Sequence, residues 1–208
     1  DKPLHPRGIV SAGALTLTPA EARAGVPLLD TSGVHPALVR VSYAVGTGPE
    51  GADVEGLALR LPSGGPDGRP VDVLFASTGS GRLSRFVLAV RRPGVHATLT
   101  TLLPVQAQAG PPLLLRLAPR PGAAARTAPQ SWPTAYVLSW AHGRGPWRVC
   151  GELTVSWQDD AADAPHRFDP VANVLPGARQ YPLVAWLREP AYALSRLAWP
   201  RAGRLPRR

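Results

Sequence analysis

Apolar and polar residues alternate along residues 37–47. Leu38, Arg40, Ser42 and Ala44 share one face, and Val39, Val41, Tyr43 and Val45 share the other. A period of two sends successive side chains to opposite sides of an extended chain, so this stretch predicts a strand with one better apolar face. The same pattern predicts strands at 57–62, 71–77, 113–119, 134–143 and 147–159, and a last one over 181–189. Residues 83–92 also fit, with Leu83, Arg85, Val87, Ala89 and Arg91 on one face, and another strand is expected over 93–105 after the Pro93-Gly94 turn. Between the runs lie clusters such as SGGPDGRP at 63–70 and GRGP at 143–146, where glycine and proline mark turns. The strands flanking 143–146 predict a hairpin.

Two regions lack this pattern. Residues 1–36 read as an arm with one short helix: Thr18 as its cap, Pro19 at the first position, Glu21 at the third and Gly25 at its end. Residues 158–180, with prolines at 165, 170 and 176, read as a long polar excursion. Roughly eight short strands with regularly spaced turns and no long helix predict an all-β fold, an eight-stranded jelly-roll β-sandwich. The expected domain plan is an N-terminal arm at 1–36, the sandwich at 37–190 and a basic tail at 191–208.

Composition sharpens this. Among 208 residues there are 25 prolines and 21 glycines. Proline removes a donor and clashes within a helix, and glycine costs about 1 kcal/mol there, whereas both suit turns and strand ends. Cys150 is the one cysteine, so the chain cannot close an internal disulfide or a four-thiolate metal site. Methionine is absent and the chain starts at Asp1, which reads as a processed product or a cut fragment. No apolar run has the length of a membrane span. The net charge of +9 comes almost wholly from arginine. The arginines form no single block of the kind that marks a nucleic-acid arm, although four fall in residues 201–208.

Catalytic motifs are missing. There is no Gly-x-Ser-x-Gly elbow and no phosphate-binding loop opening a helix. The histidines at 5, 35, 96, 142 and 166 show no metal-ligand spacing. The acids Asp159, Asp160 and Asp163 read as a solvated loop, and the six tryptophans as core or interface aromatics. The chain is therefore expected to be no enzyme, with no catalytic, cofactor or metal residues.

Three stretches in order resemble the picornavirus capsid protein that surrounds the five-fold vertex. The first is ALTLTPAEARAG at 14–25, with Glu21 and Gly25. The second is LLLRLAPRPGAAA at 113–125, with Pro119, Pro121 and Gly122, followed by Trp132. The third is VAWLREPAYALSRLAWPRAGRLPRR at 184–208, with Trp199, Pro200, Arg201, Pro206 and Arg207. The Pro119–Gly122 stretch splits the family's proline pair, and Glu189–Tyr192 lacks its basic residue and histidine. The resemblance implies a virion structural protein assembling with copies of itself and sister capsid proteins. It implies loops 46–56, 62–70 and 158–180 exposed for a host receptor, an inner arm near genome RNA, and membrane contact during entry. Localisation would be the virion, and the host cytoplasm during assembly. The alternative is an envelope or extracellular β-sandwich, a binding or pilus-type module from a G+C-rich bacterium.

Overall fold

The computed structural model describes residues 8–44, 52–90, 96–107, 110–121, 132–157 and 168–180. Ten strands lie among them: β1 Gly8–Leu17, β2 Gly33–Tyr43, β3 Glu55–Leu61, β4 Val71–Ser77, β5 Leu99–Thr100, β6 Val105–Ala107, β7 Pro112–Pro119, β8 Ala135–His142, β9 Arg148–Ser156 and β10 Ala178–Gln180. All pairings are antiparallel. Strands β1 to β5 pair in sequence order, β5 pairs with β7, and β7, β8 and β9 follow in order. The pairing of β9 with β1 closes the ring. The result is one sheet of eight strands closed on itself, with β6 and β10 added at the end of β7. The expected all-β class is observed. The expected jelly roll is not: a jelly roll stacks two sheets, and here one sheet curls until its edges meet.

An eight-stranded barrel leaves an interior just wide enough for side chains to fill. Register shows which ones. Leu15 and Leu17, Val39 and Val41, Leu57 and Leu59, Val73 and Phe75, Leu99, Leu115 and Leu117, Tyr136, Leu138 and Trp140, and Leu153 and Val155 point inward and form one buried cluster. The β1–β9 seam is a close contact in the wall. A Cβ on Gly13 would collide with the carbonyl oxygen of Thr154, and one on Gly151 with that of Thr16. Glycine on both sides of the seam lets the two backbones meet.

Several expectations change here. Residues 8–17, assigned to an arm, form β1, a ten-residue strand paired on both sides. The helix expected over 18–25 does not form. Asp30 takes the amides of Ala24 and Gly25 at 2.7 and 3.0 Å, Gly25 sits at φ +78°, and Ala24, Val26 and Leu29 fold into the core. Hydrophobic side chains capping the barrel end outweigh a weak capping box. Over 83–90, the described part of the strand expected at 83–92, the chain is instead a loop with a 3-10 turn at Ser84–Phe86. Over 96–105, the described part of the strand expected at 93–105, the chain is broken into β5 and the start of β6, with Leu102 at φ +57° between them. The strand expected over 181–189 and the tail at 191–208 lie outside the described residues.

Candidate functional site

The described inward positions are mostly filled by packed apolar side chains, and the outer wall carries the polar clusters. One row of outward positions crosses the wall as Ser42, Gly56, Ala76, Thr100, Arg116 and Ser139. Its two ends differ in character.

On β3 and β4 the wall is locked by a carboxylate. Asp72, with its side chain 0 % exposed, faces Arg60 across the strand pair. It accepts from Nε and Nη2 of Arg60 at 2.7 and 2.6 Å. The same Oδ2 accepts from Nδ2 of Asn173 and the backbone N–H of Asp169, both at 2.7 Å. Arg60 also stacks over Phe168 at 5.1 Å. A bidentate pair with further donors satisfies a buried carboxylate well, and here it fastens residues 168–173 to the barrel. Every oxygen is committed, so this is a clamp.

On β5, β7 and β8 the arrangement is reversed. The loop at 78–89 lies against this wall and turns Arg85 inward, leaving it 2 % exposed. Arg85 donates to the carbonyls of Gly81 at 2.9 Å, Gly143 at 3.3 Å and Gly145 at 3.0 Å. Its guanidinium lies 4.2 Å from the Trp147 ring, and that of Arg116 lies 4.8 Å from the same ring. Arg116 donates to Ser139 Oγ at 3.1 Å, while its buried Nε has no hydrogen-bond partner. Burial, followed by the nearby Arg82, pulls Arg85 below the ordinary arginine range; burial, followed by Arg85, does the same to Arg116. Trp147 is pinned by its indole N–H donating to Ser80 O at 3.0 Å. Arg82 reaches Arg144 O at 3.1 Å. Between Asp72 and Glu152 the sequence holds nine arginines and no aspartate or glutamate. These segments themselves therefore supply no carboxylate for their arginines. Aromatic faces and carbonyl dipoles hold Arg85 instead, and a ring face and a hydroxyl hold Arg116, whereas Arg120 reaches the Glu152 carboxylate at 2.7 Å.

Groups for bond making do not converge. Among the described residues no set of three or more His, Cys, Asp or Glu could hold a metal ion. Cys150 is buried against Leu138 O at 3.8 Å, and burial, then Asp30, pushes its thiol up to about 12, so it stays protonated.

The positions singled out from the sequence do not form one site. Glu21 and Gly25 lie in the β1–β2 connection, at the opposite end of the barrel from Pro119 and Trp132. Trp132 is buried beside Tyr43 and Trp157, with ring centroids at 5.2 and 6.5 Å. Pro119 ends β7, opposite Tyr136, and Pro121 follows it in an exposed turn. Gly122, Trp199, Pro200, Arg201, Pro206 and Arg207 lie outside the described residues. Sequence reasoning missed Asp72, Asn173, Arg85, Arg116 and Trp147. The acid-free run from 73 to 151 was the available signal for the last three.

No protein-family model matches the chain, and no curated protein matches it in sequence. Solved structures do match in fold. A bacterial catalase superposes with a TM-score of 0.68 at 14% identity, over 98% of this chain and 58% of that one. Catalase A from Saccharomyces cerevisiae superposes with a TM-score of 0.65 at 9% identity, over 98% of this chain and 61% of that one. The barrel resembles that of the catalases. The chain spans about six tenths of the length of these catalases. This overturns the resemblance to picornavirus capsid proteins, and with it the virion structural function; nor does it support the envelope-module alternative. The three motif patches were short and built mostly of alanine, leucine, proline, glycine and arginine, residues that this composition makes common everywhere. The expectation of a non-enzyme also loses its footing, because the fold is one that enzymes use.

Proposed function

We propose that the chain is the barrel of a catalase-type protein and takes part in breaking down a peroxide. The observation that carries this reading is the extent of the likeness: 98% of the chain follows the catalase fold, far more than a shared hairpin or a common strand count. Catalase chemistry uses haem iron held by a tyrosinate. Among the described residues no tyrosine is placed for that role. Tyr43 packs its ring on Trp132 at 5.2 Å, and Tyr136 is 0 % exposed within the barrel core. Tyr181 and Tyr192 lie outside the described residues. No step is therefore derived through an iron centre.

The test is to produce the full chain with haem supplied and to record its absorption spectrum and its oxygen release from hydrogen peroxide. The expected outcome is a Soret band that travels with the protein, together with peroxide breakdown. A chain that takes up no haem and leaves peroxide intact would overturn the reading and make the barrel a non-catalytic scaffold.

A further inference from the structure

The loop at 78–89 is built inside out. Its base is closed by the pairing of Thr78 with Leu88, by the Ala89 N–H donating to Ser77 O at 2.8 Å and by Ser77 Oγ donating to Ala89 O at 2.6 Å. Of its two arginines, Arg85 is 2 % exposed and turned inward, while Arg82 stands exposed. Its aliphatic residues face out: Leu83 is 61% exposed, Val87 62% and Leu88 51%, with Val90 just beyond at 63%. Val149, at 58%, belongs to the neighbouring β8–β9 hairpin. That hairpin is tied to the loop through Trp147 to Ser80 and Arg82 to Arg144. Five of the six large hydrophobic residues that stand exposed among the described residues thus gather in two adjoining segments. Single exposed hydrophobics are ordinary, whereas a gathered set marks a contact surface.

The charge that these two segments themselves carry is all of one sign. Arg82, Arg144 and Arg148 are exposed around this set, and the sequence from 73 to 151 carries no acid. A second copy docking here would set arginine against arginine, which opposes association. The aliphatic residues are leucine and valine rather than the tyrosine, phenylalanine and methionine that enrich protein interfaces. Aliphatic side chains ringed by arginine and backed by a half-buried tryptophan suit a bilayer, where the apolar groups enter the acyl boundary and the guanidinium groups meet lipid phosphates.

We propose that residues 82–90, with the tip of the β8–β9 hairpin, form a docking surface for an anionic phospholipid bilayer. Arg85 and Trp147 act beneath it as the rigid support that keeps the aliphatic side chains turned outward.

The experiment is cosedimentation of the full chain with vesicles of phosphatidylcholine alone and of phosphatidylcholine mixed with phosphatidylglycerol, at low and high salt. Binding to the anionic vesicles should exceed binding to the neutral ones by about tenfold or more and should weaken as salt rises. The variant carrying Leu83→Ser, Val87→Ser and Val90→Ser should lose about tenfold or more of the anionic binding, since each loses buried apolar area, with an unchanged thermal midpoint. Three results would overturn the proposal. One is no association with anionic vesicles. Another is full binding by the triple variant, which reduces the effect to surface charge. The third is capture by immobilised polyaspartate without vesicle binding, which assigns the surface to an acidic protein.

Discussion

The two outer walls of the barrel solve the same problem in opposite ways. Each holds arginine chemistry on strands whose inner faces are mainly apolar. On β3 and β4, Arg60 has Asp72, and Asp72 has two further donors from residues 169 and 173. On β5, β7 and β8, Arg85 and Arg116 have carbonyls, a serine hydroxyl and the Trp147 ring. The first arrangement consumes all its charge within the molecule and binds a chain segment to the barrel. The second leaves positive charge uncancelled by its own segments and turns aliphatic residues outward. A wall whose charges are settled internally is a structural device, and a wall whose charges are not has the makings of a contact surface.

The most severe way to break the comparison is to remove what both walls depend on. Deleting residues 1–17 takes away β1 and with it both pairings that join β2 to β9. An eight-stranded barrel without one strand exposes two long unpaired edges and its core. The truncated chain is expected to be insoluble or unfolded, seen as loss of cooperative thermal melting. A soluble truncated chain with a cooperative melt would show that β1 is dispensable. The next largest effect belongs to the clamp. Asp72→Ala takes from Arg60 its bidentate contact with Asp72 and removes the acceptor of the Asn173 amide and the Asp169 N–H. The expected loss is about 3 kcal/mol in urea denaturation, toward the lower end for a buried pair because Arg60 is partly exposed. Faster proteolysis near residues 168–175 should accompany it. A loss under about 1 kcal/mol would mean that the clamp is ornamental.

The second wall should respond more mildly. Arg85→Met removes a cation that has no carboxylate to strand, and methionine can fill much of the same volume. The carbonyls of Gly81, Gly143 and Gly145 lose their donor, so a loss of about 1–2 kcal/mol is expected, measured as above. Arg116→Met should be close to neutral, because it also removes a buried Nε that has no partner. If Arg85→Met proved as costly as Asp72→Ala, the two walls would be structural devices of equal weight.

Much of this fold was legible from the alternation of side chains, and the parts that were not fail for identifiable reasons. The strands at 57–61, 71–77, 113–119, 135–142 and 148–156 carry plain inward rows of leucine, valine and aromatic residues. β1 was hidden because its inward row includes Ser11 and Gly13, chosen for the close seam with β9 and not for hydrophobicity. Residues 83–90 misled because apolar residues sat at strand spacing, yet the side chain turned inward is Arg85. Barrel and sandwich share the same period of two, so closure rests on one long-range pairing, Ala12 to Leu17 with Gly151 to Ser156, which no local pattern announces. The candidate surface was less legible still. Its arginines are scattered in sequence, and only the fold brings Arg82, Arg85, Arg116, Arg144 and Arg148 to one side.

A smaller effect tests the interior that separates the walls. The Cys150 thiol is 0 % exposed, and burial, then Asp30, raises its pKa from 9.0 to about 12. The sign follows from which state holds the proton. Below about pH 9 the thiol is protonated in both the folded and the unfolded chain, and its contribution to stability is fully present. Between about 9 and about 12 the unfolded chain releases the proton while the folded chain keeps it, so the unfolded state gains and stability falls. Above about 12 both states have released it. Cys150→Ala should therefore lower stability at neutral pH through lost packing, yet show a flatter decline than the parent from pH 9 upward. Urea midpoints of the two proteins between pH 7 and 10.5 would converge as pH rises. Parallel curves would place the thiol in contact with solvent and open the barrel wall at β9, removing the sealed interior on which the contrast between the two outer faces depends.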